Sequence, residues 1–226
     1  MTRRTILAAL VVALAAGGCG AGTETRTFIR WVPFVHVHGH QYIAVPSLDV
    51  PTPESELGRV VAAVRHTLEG NVHDPHYRAR NGDASFLPVG TRLRSVHGFG
   101  SWFRVASVVH HQVTVYQLDR RTGQGGHAFD LRPNRIVALQ IRSGVDGSVR
   151  NRVVDPELTK DLVSFLRSAQ ISPRRGNNDT LTCFVDFAYA ASPPISFGYD
   201  PKAGFLSPGF RVPPPLRDRL GPLGCG

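Results

Sequence analysis

One stretch of this chain, DPELTKDLVSFLRSAQ, combines a start signal and an apolar stripe typical of an α-helix. Asp155 is a residue type that caps helix N-termini, and Pro156 suits the first helical position. Apolar residues then recur at helical spacing on one face: Leu158, Leu162, Phe165, Leu166 and Ala169. One helix over about 156–170 cannot supply the core of 226 residues. Strands must therefore provide most of it.

Most other apolar segments alternate with the period of a β-strand or are rich in β-branched and aromatic residues. They are TFIRWVPFVHVHGHQYIAV, TRLRSV, FRVASVVHHQVTVYQLD, RIVALQIRS, LTCFVDFAYAA and ISFGYD. Segment 57–69 fits helical spacing and strand alternation equally well. The sequence therefore predicts an α+β protein, a β-rich single domain of antiparallel hairpins with one clear helix. We expect this domain at 28–212, followed by a Pro/Gly-rich C-terminal tail at 213–226 that makes few contacts.

The stretch FVHVHGHQY carries three histidines at alternate positions. On a continuous strand they would share one face and could bind a metal. Gly39 favours a hairpin instead, with His38-Gly39 as a two-residue turn of the Asn-Gly kind. Val35 would then face Tyr42, and His36 and His40 would lie on opposite faces. The hairpin predicts that no three-histidine site forms here.

The first residues, MTRRTILAALVVALAAGGC, resemble a bacterial lipoprotein signal. Two arginines precede an apolar run too short to span a bilayer, and small residues precede Cys19. The pattern predicts a signal peptide at 1–18, acylation of Cys19, and a flexible tether at 19–27. We therefore expect the protein on the outer face of the cytoplasmic membrane, held there by its N-terminal lipid.

Two further cysteines and the charge balance agree with export. Cys183 and Cys225 are an even pair, which outside the cytoplasm is most simply a disulfide. Lysine and arginine together number 26 against 17 acidic residues, a net charge of +9. The basic residues are dispersed and not interleaved with aromatics, so we expect no nucleic-acid partner. An envelope protein or an anionic polymer is the partner that such a surface suits.

Catalytic motifs are missing from the sequence. GFGSW is not a nucleophile elbow, no glycine-rich stretch completes a nucleotide fingerprint, and the carboxylates are too scattered to nominate a pair. All ten histidines lie between His36 and His127, but no acidic residue forms a metal motif with them. We therefore expect no cofactor and no metal site. The histidines nearest to metal-ligand spacing are His36, His40, His73 and His76.

Three stretches, WVPFVHVHGHQY, NGDASFLPVGTRLRSVHGFGSWFRVAS and SFGYDPKAGFLSPGFRVP, resemble in order and content a family of uncharacterised secreted or lipid-anchored proteins of Gram-positive bacteria. The positions that carry the resemblance are Trp31, Phe34, Val35, Gly39, Tyr42, Asp83, Ala84, Phe86, Leu87, Gly90, Thr91, Val96 and Gly98. The resemblance implies a strand for Gly58 to Leu68 and implies no reaction. We expect a lipid-anchored extracytoplasmic protein that acts by binding or interaction. The alternatives are a histidine-based metal-binding or metal-sensing envelope protein, and an extracellular enzyme of unknown type.

Overall fold

The computed structural model describes residues 29–45, 51–119, 129–169, 183–207 and 209–224. Two β-sheets dominate, as the α+β, β-rich prediction requires. Eight strands form sheet A: β1 Phe34–Val37, β2 His40–Ala44, β3 Leu57–Ala63, β4 His66–Thr67, β5 Asp83–Ala84, β6 Arg92–Val96, β7 Arg104–Val109 and β8 Gln112–Leu118. Six strands form sheet B: β9 Ile136–Ser143, β10 Val149–Val153, β11 Cys183–Tyr189, β12 Ile195–Asp200, β13 Phe205–Leu206 and β14 Phe210–Arg211.

Sheet A curls back on itself because one stretch of chain occupies both ends of its strand order. That order is β3-β6-β7-β8-β2-β1-β5-β4, and β3 and β4 are separated by only Val64 and Arg65. The concave face encloses a small apolar core. Its buried side chains come from six of the strands and the segments between them: Val35, Val37, Tyr42, Val64, Ala84, Leu87, Leu93, Val105 and Tyr116.

The hairpin at FVHVHGHQY forms with the predicted register. β1 pairs antiparallel with β2, with Val35 opposite Tyr42 and His36 opposite Gln41. His38 and Gly39 form the turn, with φ values of 51° and 78°. Both central residues of this turn type need positive φ, which glycine adopts without strain. The family resemblance implied a strand for Gly58 to Leu68, and this range holds most of β3 and all of β4, with Val64 and Arg65 between them.

A second two-residue turn connects β7 to β8. His110 and His111 adopt φ values of 49° and 61°, and Val109 pairs with Gln112. The sequence did not predict this turn, because neither residue is a glycine or asparagine. The uninterrupted pattern FRVASVVHHQVTVYQLD is therefore two antiparallel strands.

Sheet B, in the order β10-β9-β11-β12-β13-β14, packs one face against the main core of the protein. Helix α1, Pro156–Ser168, lies on this core as predicted, and the Asp155 carboxylate accepts a hydrogen bond from Leu158 N at 2.9 Å. Both sheets contribute side chains to the core. They include Leu57, Phe103, Ala106 and Val115 from sheet A and its loops, and Leu139, Ile141, Val185 and Phe187 from sheet B.

The structure of the C-terminal segment differs from the prediction. A tail with few contacts was predicted, but helix α2, Pro214–Leu220, buries Leu216 and Leu220 in the main core. Arg219 donates to Asp161 at 2.7 Å and to Asp155 at 3.1 Å, which ties α2 to the start of α1. Proline suits the first turn of a helix, so the proline run that suggested a tail starts a helix instead. Among the described residues, no helix is both long and apolar enough to cross a membrane.

Candidate functional site

A cleft of about 350 Å³ lies where the ends of β2 and β8 approach sheet B. Sheet A and the residues that directly follow its strands supply four apolar side chains, Ile43, Ala44, Val45 and Leu118, and two polar ones, Gln117 and Asp119. Sheet B and its β11–β12 connection supply Arg142, Pro194 and Ser196. A volume of this size is at the small end of the range for small-molecule sites.

Strand alternation explains why Arg142 lines the cleft. Leu139 and Ile141 of β9 point into the main core, so Gln140 and Arg142 point to the opposite face of sheet B. On the neighbouring strand β11, Phe184 lies opposite Arg142 and Asp186 lies opposite Gln140. The same alternation therefore brings a guanidinium and a carboxylate together on one face.

Arg142 forms a two-point ion pair with Asp186. Its Nε donates to Asp186 Oδ2, and its Nη2 lies 3.2 Å from Asp186 Oδ1. The Asp186 side chain is 0% exposed and the Arg142 side chain 12% exposed. Arg142 Nη2 also lies 3.3 Å from Ser196 Oγ, and the guanidinium stacks 5.2 Å from the centre of the Phe184 ring. Asp186, Ser196 and Phe184 thus each contact the Arg142 guanidinium.

A second buried arginine, Arg104 of β7, lies directly behind the cleft. Its Nε and Nη2 both donate to Gln117 Oε1, at 3.0 and 2.7 Å. Its Nη1 donates to Ser192 Oγ at 3.0 Å and to Pro193 O at 2.7 Å, and its Nη2 donates to Pro194 O at 2.9 Å. The Phe99 ring lies 4.6 Å from the guanidinium carbon. Arg104 therefore joins sheet A to the β11–β12 connection.

The electrostatics of the two arginines differ. Among the described residues, no carboxylate lies within ion-pair distance of Arg104, whose partners are neutral oxygens. Complete burial lowers the pKa of Arg104 to about 10, so the guanidinium is still charged at neutral pH. Asp130 interacts with this charge electrostatically without forming an ion pair, so the positive charge behind the cleft is partly offset.

Gln117 lies between Arg104 and the cleft. Its carbonyl oxygen accepts both Arg104 hydrogen bonds, and the residue also lines the cleft. Pro194 likewise turns its carbonyl toward Arg104. The polar side chains that line the cleft are those of Gln117, Asp119, Arg142 and Ser196. Asp119 accepts a hydrogen bond from Gln41 Nε2 at 3.4 Å.

A separate polar cluster surrounds Asp83 at the far end of sheet A. The buried carboxylate, 1% exposed, accepts from Tyr77 Oη at 2.8 Å and from Arg80 N at 2.7 Å. His66 Nδ1 lies 3.3 Å from the other carboxylate oxygen, while the His66 side chain is 70% exposed. Burial and the hydrogen bond to Asp83 raise the pKa of Tyr77. The sequence did not predict the contact between Asp83 and His66.

The histidines that sequence spacing singled out do not converge. His36 and His40 lie on opposite faces of the β1–β2 hairpin, and His73 and His76 are exposed in the loop between β4 and β5. Within the described ranges, no three histidine, cysteine or acidic side chains are grouped so that they could hold a metal ion. Cys183 is fully buried in β11, whereas Cys19 and Cys225 lie outside the described residues.

Sequence reasoning missed the residues of the cleft. Arg104 and Arg142 are two of many arginines, and both sit in alternating strand patterns where an inward or covered arginine looks like a solvent-facing one. Strand alternation alone could have placed the Arg142 side chain on the face of sheet B that Ile141 does not occupy. It could not have supplied Asp186 or the proline carbonyls, which are distant in sequence.

Comparison with known proteins adds no assignment. No family model matches the chain, and neither a curated protein nor a solved structure matches it. The resemblance to secreted or lipid-anchored proteins of Gram-positive bacteria stays a prediction.

Proposed function

We propose that this protein is a lipid-anchored extracytoplasmic binding protein and that its ligand occupies the cleft between the two sheets. The Arg142–Asp186 ion pair at the cleft wall is the observation that carries the proposal. Burying two charges has a desolvation penalty of several kcal/mol per ion, and well-packed apolar replacements are often as stable. The fold does not require this pair, whereas a site that must orient a guanidinium toward a ligand does.

Filling the cleft tests the proposal. Ser196 is an exposed residue of β12 that lines the cleft, so Ser196→Trp places an indole in it. Ser164→Trp, on the exposed face of α1, is the matched control. Native mass spectrometry of protein purified from the producing cells should show a non-covalent small-molecule adduct. The adduct should be absent from Ser196→Trp and present in Ser164→Trp; its equal presence in both would exclude the cleft.

We propose the outer face of the cytoplasmic membrane as the location, with acylated Cys19 as the anchor. The signal-like N-terminus supports this proposal. Cys19→Ser should move the protein from the membrane fraction to the medium, and intact mass should show the lipid on the wild-type chain only. A wild-type chain found free in the medium without lipid would contradict the anchor. An envelope protein or an anionic wall polymer stays the proposed macromolecular partner.

We further propose that the two sheets and both helices form one domain built chiefly of antiparallel hairpins, which extends past the predicted boundary at 212 to include α2, and that a Cys183–Cys225 disulfide closes it. The shared core of the two sheets supports the first part. Three contacts support the second: Arg150 lies 3.2 Å from Gly224 O and 3.4 Å from Ser143 Oγ, and Ser143 pairs with Cys183. The residue before Cys225 thus approaches the end of sheet B that holds Cys183. Alkylation of the unreduced chain should modify neither cysteine; two reactive thiols would contradict the bond.

A second candidate function, metal binding, is favoured by one observation. Histidine ligands of metals commonly give their second ring nitrogen to a carboxylate, and His66 has this relation to buried Asp83. Elemental analysis of the purified chain tests it. Stoichiometric zinc or copper that is lost in His66→Gln but kept in His111→Gln would support this function over small-molecule binding.

A further inference from the structure

We infer that an apolar surface at the start of the described chain docks against the same lipid bilayer that holds the Cys19 anchor. We call it the docking surface, and its members are Trp31, Val32, Pro33, Phe86, Pro88 and Val89. The inference rests on the anchor of the proposed function and adds a second contact with that membrane. It does not depend on what the cleft binds.

The docking surface is formed by two segments that run side by side. β1 pairs antiparallel with β5, and the pairing continues past the end of β5. Ser85 N donates to Phe34 O at 3.1 Å, and Phe34 N donates to Ser85 Oγ at 2.8 Å. The same direction of pairing brings 31–33 beside 86–88. The apolar residues before β1 and after β5 therefore form one patch, whereas apolar residues scattered singly would need no explanation.

The loop after β5 is held in place with its apolar side chains outward. Leu87 packs in the small core of sheet A, and Thr67 Oγ1 donates to Leu87 O at 2.6 Å. On either side of Leu87, Phe86 is 39% exposed and Val89 is 65% exposed. Val32 is 55% exposed in the neighbouring segment. Exposed apolar side chains grouped in this way are typical of a surface that meets an apolar partner.

The position of the anchor determines which partner is nearest. Ile29, where the described chain begins, lies ten positions after Cys19. Ten residues span at most about 33–36 Å when fully extended, so the lipid on Cys19 keeps Ile29 within that distance of the membrane. Trp31 and Val32 follow directly. A tethered partner has a high effective concentration, so contacts that are weak on their own are enough for docking.

The chemistry of the docking surface suits the boundary between lipid headgroups and acyl chains. Tryptophan is enriched at this depth, and apolar side chains beside it insert toward the acyl region. Exposed Arg30 and Arg92 flank the surface, and Glu69 is an acidic neighbour. Even without the two arginines of the proposed signal peptide, basic residues outnumber acidic ones in the chain. This balance favours a bilayer that contains anionic lipid.

The two tryptophans of the chain allow the docking surface to be tested. Trp31 precedes β1 and belongs to the surface, whereas Trp102 precedes β7 and is exposed elsewhere. β1 and β7 run antiparallel, because β2 and β8 lie between them and each neighbouring pair is antiparallel. The chain therefore enters these two strands from opposite ends of the sheet. Trp102→Phe leaves only the Trp31 fluorescence, and Trp31→Phe leaves only the Trp102 fluorescence.

The experiment places the lipid-bearing chain in vesicles of equal parts phosphatidylglycerol and phosphatidylcholine, with bromine on the acyl chains near the headgroups. Bromine quenches a tryptophan only at short range. The fluorescence of Trp31 should therefore be quenched, and that of Trp102 should not. The same vesicles without bromine give the unquenched values.

Two pairs of valine substitutions separate docking from tethering, because the tether alone would hold Trp31 nearer to the bilayer than Trp102. Val32→Ser/Val89→Ser removes apolar atoms from the docking surface. Val145→Ser/Val154→Ser removes the same atoms elsewhere, at positions that are 92% and 73% exposed. The first pair should lower the equilibrium constant for docking about tenfold, measured from the quenched fraction of Trp31, and the control pair should leave it unchanged.

Equal Trp31 quenching in the two serine pairs would overturn the inference, and so would equal quenching of the two tryptophans. Trp31 emission that shifts to the blue as protein concentration rises, without quenching by bromine, would assign the surface to a second copy of the chain and overturn the bilayer as its occupant. Intact mass of the same sample separates the two levels of the proposal. A lipid-bearing chain without Trp31 quenching would overturn the docking surface and leave the anchor, whereas a chain without lipid would overturn the anchor and this inference with it.

Discussion

Two arginines beside the cleft, fully buried Arg104 and mostly buried Arg142, have their charges stabilised by different means. Arg142 meets a carboxylate on the adjacent strand and forms a two-point ion pair with buried Asp186. Arg104 meets neutral oxygens from Gln117, Ser192 and two prolines, with aromatic rings around its guanidinium. The Arg142 charge is neutralised by an adjacent carboxylate, whereas the Arg104 charge is stabilised by hydrogen bonds to neutral oxygens.

The two arrangements of charge have different structural consequences. A neutralised pair such as Arg142–Asp186 fixes the direction of a donor without leaving net charge at the site. A cation held by neutral dipoles, such as Arg104, joins chain segments and leaves a positive field behind the wall it supports. The two arrangements therefore make different predictions for stability when one member is removed.

Removing the carboxylate of the pair should have the largest effect. Asp186→Ala leaves Arg142 buried without its counter-charge, and the free energy of unfolding should fall by about 3–5 kcal/mol. The double variant Arg142→Met/Asp186→Leu removes both charges and should lose far less. Urea denaturation measures both values. Equal losses in the single and double variants would mean that Arg142 does not depend on Asp186 for its charge balance.

Removing the dispersed cation should have a smaller effect. Arg104→Met leaves oxygens of Gln117, Pro193 and Pro194 without a donor, which should lower the free energy of unfolding by about 2 kcal/mol. The loss is limited because these acceptors are neutral, so the substitution leaves unpaired oxygens and no unpaired charge. Urea denaturation again gives the value. A loss above that of Asp186→Ala would reverse the comparison.

Alkaline pH probes the surroundings of Arg104. Tyr189, whose ring lies 6.0 Å from the Arg104 guanidinium, has its pKa raised by burial to about 12. Between pH 10 and pH 12 the unfolded chain releases this proton and the folded protein keeps it, so stability falls as pH rises. The Tyr189 contribution to this fall should be about 1 kcal/mol by about pH 11. Arg104 contributes in the opposite direction over the same range, because burial lowers its pKa to about 10 and the folded protein loses that proton before the unfolded chain does. Tyr189→Phe should remove only the first contribution, so between pH 8 and pH 11 its free energy of unfolding should change by about 1 kcal/mol more favourably than that of the parent, measured by urea denaturation. Equal changes in the two proteins would contradict the assignment.

The smallest effects come from two serines on either side of the β11–β12 connection. Ser192 is buried and accepts from Arg104 at 3.0 Å, whereas Ser196 is exposed and lies 3.3 Å from Arg142. Ser192→Ala should lower the free energy of unfolding by about 0.5–1 kcal/mol, and Ser196→Ala by less than that. The thermal unfolding temperatures of the two variants check which substitution destabilises the protein more. The opposite order would show that Arg142, not Arg104, depends on its neutral partner.

Local chemistry explains which parts of the fold could be predicted. The β1–β2 hairpin follows from Gly39, and the start of α1 follows from Asp155 and Pro156, because each signal acts within a few residues. The turn at His110-His111 could not be predicted in this way, since two histidines hold positive φ there only with the support of paired strands. Helix α2 was missed because its burial of Leu216 and Leu220 depends on a core assembled elsewhere.

The candidate cleft depends almost wholly on contacts between distant residues. Arg104 meets Ser192 and the two prolines 88 to 90 positions away, and Arg142 meets Asp186 44 positions away. No spacing rule connects such residues in one sequence. By contrast, His36 and His40, which a spacing rule did single out, are placed on opposite faces by the hairpin they form.

The curled order of sheet A has a consequence for the time course of folding. β2 finds its second partner only in β8, and segment 57–67 must pair with β6 on one side and β5 on the other. Contacts between distant segments form slowly, because much of the chain must be ordered before they do. A chain that emerges N-terminus first therefore presents the β1–β2 hairpin early, with Val35, Val37 and Tyr42 uncovered. We expect these side chains to stay uncovered until β8 pairs with β2. Before the sheet closes, the chain is therefore most exposed to proteases and to association with other unfolded chains.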